Sequence, residues 1–439
     1  MKDHSLVYQR IIFTVFWIVG VFPFINDEFF TGMEGFKTAL YLLCDAVLIV
    51  VGLLTLREKF DFLFVGAFTL WAFVSTVAIN GNGFAFFGNG MRDFVGILFC
   101  IPTLRYFFAD QQRHDRFIAS FDRQLFYYLV LQAFCVLWQF LRYGSGDHGG
   151  GSLGNWYSGQ ISTEIFLISF YLMRKRIDPN HFLKSLQENF ILIFLLFPTT
   201  LNETKISFIY LVLYFILLIP IDRKTLVRLF VVAPVLALLF SVAYFIYDST
   251  TQKVDGGIFS EEYLASYFLL DDVENAEGDA QWNMSHGNGM ADVPRVTKFM
   301  YLPILDLQEP GHVLTGFGVG QFKGASIGST SQFATDYDWY LLGTNPYFIH
   351  VYLQVGVIGF AFVLFFMVSL FLRKPKLYPL RSVNIQLYCL AIFILLLGYN
   401  DMFRNWHFCI IFFTIFMSSW LPNDEAEPVM ELPDYSTHD

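Results

Sequence analysis

The chain has 439 residues, of which 55% are hydrophobic and 15% charged, with a mean hydropathy of +0.50 and a formal net charge of −10. That composition excludes an ordinary soluble domain, and an acidic balance without clustered Lys and Arg excludes nucleic acid as a partner. Apolar runs near or above the roughly 20 residues that cross a bilayer recur from end to end, so the expected fold class is an all-α polytopic membrane protein.

In chain order, the opening MKDHSLVYQRIIFTVFWIVGVFPF has a modest basic end and an apolar core with no small-residue cleavage site after it, which predicts an uncleaved first helix. Apolar cores at about 11–25, 38–54, 62–79, 94–108, 125–141, 156–173, 190–201, 206–221, 226–247, 348–372, 385–399 and 408–421 predict twelve spans. The chain then divides into helices one to nine (1–247), a large loop (248–347), helices ten to twelve (348–421) and an acidic tail (422–439). With both termini cytoplasmic, the inner segments collect 19 of the 28 basic residues, so the positive-inside rule puts the large loop on the extracytoplasmic side. That loop holds fourteen acidic residues against four basic ones. Its DDVENAEGD run, Asp271 to Asp279, reads as a solvated acidic stretch, and neither a metal nor a cofactor is expected. All five cysteines lie in apolar segments, so no external disulfide framework is expected.

Ionisable groups near membrane depth are expensive and are weighed singly. Arg92 in GNGMRDFVG sits at the outer start of the fourth span, where its plainest role is a local pair with Asp93. Glu164 in GQISTEIFLIS lies one or two turns into the sixth, and Asp45 in the second is read as structural. Lys205 in LNETKISFIYLVLY and Arg404 in NDMFRNWH occupy tight outer turns, where a cation either faces the bundle mouth or snorkels to the interface. Gly316, Gly318 and Gly320 in TGFGVGQF alone say only that the backbone bends or approaches closely. His350 in TNPYFIHVYLQVGVIGF alone is an ordinary interfacial polar anchor.

Taken together, Arg295 in VPRVTKFMYLPILDL, then Gly316, Gly318, Gly320 and Phe322, then His350, Tyr352, Leu353 and Gly359 resemble the signature of the O-antigen ligase and polymerase superfamily, bacterial membrane glycosyltransferases. Thr204 and Lys205 stand where that family commonly has a serine-arginine pair, and Val351 where it commonly has asparagine. The resemblance implies a polyprenyl-diphosphate-linked oligosaccharide donor outside the cytoplasmic (inner) membrane, and a glycan or lipid A core acceptor whose hydroxyl attacks the anomeric carbon. Membrane lipids and other polysaccharide-assembly proteins are the remaining implied partners. It also implies that Arg295 and His350 are catalytic, with Lys205, Arg92, Gly316, Gly318, Gly320, Tyr352, Glu164 and Arg404 binding diphosphate or glycan. His350 acts either as a base on the acceptor or as a hydrogen-bond partner of the diphosphate, and Tyr337, Trp339, Tyr340 and Tyr347 are available to stack on sugar rings or to anchor the loop. Repeat-unit polymerase is the first reading and ligase the second. From a different class, a carrier or flippase for a lipid-linked sugar would line its path with Glu164, Asp45 and Arg92.

Overall fold

The computed structural model describes residues 4–30, 33–144, 148–155, 157–178, 181–202, 206–219, 295–322, 325–326, 329–372 and 381–418, with single residues 234, 241, 293 and 420. All but two residues of the predicted ninth span, half of the large loop, Lys205 and the acidic tail lie outside the described residues.

The chain is an all-α protein carrying, among the described residues, five helices long and apolar enough to cross a membrane, or seven if two bent pairs each count as one span. The helices are α1 (Ser5–Phe29), α2 (Glu34–Thr55), α3 (Lys59–Phe73), α4 (Phe84–Met91), α5 (Ile101–Phe108), α6 (Gln111–Tyr143), α7 (Ser158–Arg176), α8 (Phe182–Glu188), α9 (Phe190–Phe194), α10 (Pro198–Leu201), α11 (Ile206–Leu218), α12 (Arg295–Gln308), α13 (Gln332–Asp336), α14 (Tyr347–Leu372), α15 (Arg381–Tyr399) and α16 (Trp406–Met417). A two-residue hairpin pairs β1 (Ala325–Ser326) with β2 (Ser329–Thr330).

Several elements are interrupted where an unbroken run of apolar residues suggests a plain helix. The predicted fourth span is the second half of a pair bent by 57°, Phe84–Phe94 followed by Gly96–Phe108. Gly96 is required at that corner, since a Cβ there would press on Trp406 and Cys409. The predicted seventh span is likewise the second half of a pair bent by 65°. The end of α3 widens into a π-helical turn, Val74–Ile79, a form common at functional sites. By contrast α6 is long and regular: Asp110 caps it by accepting from Arg113 N at 2.9 Å, and Gly144 at φ 84° ends it.

The bundle centre is α16, buried along its whole length, packed against α7, on which fifteen residues are buried. At the end of the bundle where α3 finishes and α14 begins, residues 293–342 build a second core. Tyr301, Leu305, Trp339 and Tyr340 pack there against Ile349, Tyr352 and Leu353 at the start of α14. Trp339, Tyr340 and Tyr347 are at most 1% exposed, so of the two roles open to these aromatics three serve packing rather than sugar stacking.

Candidate functional site

The glycine segment and α14 are built into each other. Gly316, Gly318 and Gly320 all sit at positive φ, at 69°, 94° and 86°. Side chains would strike backbone at each: a Cβ on Gly316 would lie 2.5 Å from the Gln354 carbonyl carbon, one on Gly318 3.0 Å from Thr76 Cα, and one on Gly320 against the Phe86 carbonyl. The segment can lie this deep because α14 opens at Gly356, whose φ of 66° and ψ of −173° are not helical. There the two segments exchange four hydrogen bonds. Phe317 N and Gly318 N donate to the Leu353 and Gln354 carbonyls at 2.8 and 3.0 Å, while Val357 N and Ile358 N donate to the Val313 and Leu314 carbonyls at 3.0 and 3.4 Å. Irregular backbone at membrane depth is tolerated only when its polar groups are met in this way. Side chains complete the set: Trp71 Nε1 donates to Val355 O at 3.0 Å, Ser75 Oγ to Thr315 O at 2.5 Å, Asn80 Nδ2 to Gly316 O at 2.9 Å and Asn82 Nδ2 to Phe317 O at 3.0 Å. The π turn has its reason here, because the Thr76 hydroxyl donates to Ala72 O at 2.6 Å and accepts from Val319 N at 2.9 Å.

This interlock fixes His350. Gly320 N donates to Gln354 Oε1 at 2.8 Å, which turns the Gln354 amide nitrogen towards His350 Nε2 at 2.7 Å. An amide nitrogen only donates, so Nε2 accepts, and the ring is neutral with its proton on Nδ1. Nδ1 is buried with no hydrogen-bond partner among the described residues. Phe322 closes over the ring edge-on, with centroids 5.1 Å apart.

Beside His350 runs a chain of charges. Asp93 Oδ2 is 3.5 Å from His350 Nε2, Asp93 Oδ1 is 3.4 Å from Arg404 Nη2, and Arg404 Nη1 reaches Asp401 Oδ2 at 2.6 Å. Burial alone would lower the Arg404 guanidinium, but the two carboxylates outweigh it and raise the group above its ordinary value. With 32% of its side chain exposed, Arg404 is not sealed inside the bundle. Arg295, on the first turn of α12, donates from Nε to Tyr399 O at 2.6 Å and stacks its guanidinium 4.3 Å from the Tyr399 ring centroid. Both arginines are thus held by the 399–404 turn, which Asn405 ties to α7 by donating to Gln160 Oε1 at 3.3 Å.

The structure therefore brings together His350, Arg404, Gly320 and, through its turn, Arg295. It separates others from them. Arg92 does not pair with Asp93: its Nε reaches back to Asp45 on α2 at 2.6 Å. Neighbouring residues on a helical turn point about 100° apart, so the two charges face different partners. Tyr352 donates to Asp306 Oδ1 at 2.8 Å within the core of residues 293–342. Glu164 is 1% exposed inside the bundle, where it accepts from Tyr128 and faces His407. Lys205 lies outside the described residues. Gln354 is the residue a sequence reading passes over, and Asp93 is one it reads only as the partner of Arg92. Gln354 does carry a signal, standing one helical turn (i+4) after His350, whereas nothing local marks Asp93, Asp401 or Tyr399. Among the described residues no group of three His, Cys, Asp or Glu side chains is arranged to hold a metal. Compared with known proteins, the chain matches no family model and none of the curated proteins.

Proposed function

We propose that the protein is a membrane glycosyltransferase that moves a glycan from a polyprenyl diphosphate to an acceptor hydroxyl in surface-polysaccharide assembly, as the repeat-unit polymerase. In this reading twelve helices cross the bacterial cytoplasmic membrane and the site faces outward. The observation that carries it is the cluster of a tautomer-fixed histidine and two arginines held at one turn beneath an interlocked glycine segment. The acceptor oxygen attacks the anomeric carbon, the bond to the diphosphate breaks with its electron pair, and the acceptor proton is released. Arg404 and Arg295 are the cations suited to the leaving diphosphate, and losing one such preorganised donor costs about 100- to 1000-fold in rate. His350 accepts from Gln354 at Nε2 and so offers Nδ1–H to the diphosphate; service as a base through Nε2 requires Gln354 to turn away first.

The test is the cell's surface and lipid-linked glycans after deletion of the gene and restoration with wild type, His350→Ala or Arg404→Ala. Single repeat units on the final acceptor identify the polymerase, and long chains stranded on polyprenyl diphosphate identify a ligase. Full rescue by both variants removes the transferase reading. It then favours a carrier of lipid-linked sugar, for which the buried Glu164 and His407 pair is the supporting feature.

A further inference from the structure

A second ionisable pair lies deep in the bundle, apart from the His350 cluster and unused by the proposed reaction. Glu164 on α7 and His407 on α16 are 1% and 2% exposed, with Glu164 Oε1 3.4 Å from His407 Nδ1. Tyr128 on α6 donates to the other carboxylate oxygen at 2.8 Å. Both His407 ring nitrogens are buried without a hydrogen-bond partner among the described residues. On one face the ring stacks on Phe16, with centroids 4.4 Å apart. Its Nε2 fits against α1 only because residue 20 is glycine, where a Cβ would stand 2.5 Å away.

Polar groups lead to this pair from the end of the bundle that carries the glycine segment. The 151–153 turn dips between α1 and α6, and Gln132 holds it there, accepting from Ser152 N at 2.8 Å and donating to Ser152 Oγ at 2.6 Å. Ser152 Oγ bonds the Gly20 carbonyl and stands 3.5 Å from Tyr128 OH. The titratable groups facing the pair are Tyr128 and, beyond it, Cys135, both on α6. From α1 and the 151–153 turn come Phe16, Gly20 and Ser152.

We infer that Glu164 and His407 form a proton-binding site inside the membrane-spanning bundle, with one proton shared between carboxylate and imidazole and reached past Ser152 and Tyr128. The argument is one of charge. With one proton the pair is either an ion pair or two neutral groups; without it a carboxylate is buried beside an uncharged ring, with Tyr128 as its one hydrogen-bond donor among the described residues. The proton joins or leaves as a unit, and no other reactant is needed. The site is independent of the transferase reading, because its signature is read on the protein without any substrate.

The test is infrared difference spectroscopy of the purified full chain in lipid nanodiscs, titrated between about pH 4 and 9, a window spanning the ordinary carboxyl and imidazole ranges. The expected result is a pH-dependent carboxyl signal that Glu164→Gln abolishes, that Tyr128→Phe shifts in frequency by removing its hydrogen bond, and whose midpoint His407→Gln moves by a unit or more. If Glu164→Gln does not fold, the Tyr128→Phe frequency shift and the His407→Gln midpoint decide. A carboxyl signal unaltered in every folded variant, or one whose midpoint ignores His407→Gln, overturns the shared-proton site.

Discussion

Two glycine-bearing turns enter the bundle from the same end, and each is locked by glutamine. The 149–154 turn is held by Gln132 and by Gln139, which accepts from Gly151 N at 2.7 Å and donates to Gly151 O at 3.1 Å. The 316–320 segment is held by Gln354. The difference is where the far end of each amide goes. Gln139 returns both ends to a single glycine, so its bonding is closed on itself. Gln354 spends one end on Gly320 and the other on His350, so the backbone of the segment and the proton position on the ring are set by one side chain. A fully satisfied buried amide is a stabiliser in both places, but of Gln139 and Gln354 only Gln354 bonds a titratable side chain.

That contrast can be broken at four points. The largest effect is expected for His350→Ala, about 100- to 10,000-fold less glycan transfer per folded molecule, checked by transfer assays on purified folded protein. Next, Arg404→Lys keeps the charge but loses the fork that spans Asp93 and Asp401, and a loss of order 100-fold in transfer is expected. Gly320→Ala meets both positive φ and the Phe86 carbonyl, and should cost about 3 kcal/mol of stability, measured by denaturation in detergent. The finest test compares Gln354→Leu with Gln139→Leu. Each orphans a buried glycine N–H and should cost about 1–3 kcal/mol. Gln354→Leu should also lower transfer per folded molecule on the order of 10-fold, the scale of losing an orienting partner, whereas Gln139→Leu should leave it unchanged. Equal transfer in the two variants would make Gln354 a structural residue only.

The sequence carries the long helices α1, α2, α3, α6 and α14 plainly, because an apolar run of sufficient length in lipid has to satisfy its own backbone. It does not carry their interruptions. Gly356 lies within an apolar run like any tolerated glycine, and only the arrival of residues 313–318, held in place by the turn at the end of α3, explains its backbone. The site is half legible for the same reason. His350, Arg295 and the three glycines stand out by type and order, while Asp93 reads as the partner of its neighbour Arg92 until the turn direction is known. Gln354 is an unremarkable amide until Gly320 and His350 are seen on either side of it.

The four exchanged bonds at Gly356 have a consequence for assembly. In an uninterrupted helix, Val357 N and Ile358 N would pair with Leu353 O and Gln354 O, the same carbonyls that Phe317 N and Gly318 N now occupy. Alone in lipid, α14 has no other acceptors for those amides, so a peptide spanning 347–372 is a straight helix, and the gap belongs to the folded bundle. The break is written by the tertiary structure into a segment whose local chemistry favours continuity. His350, nearly two turns before it, reaches its final setting only when that rewriting is complete.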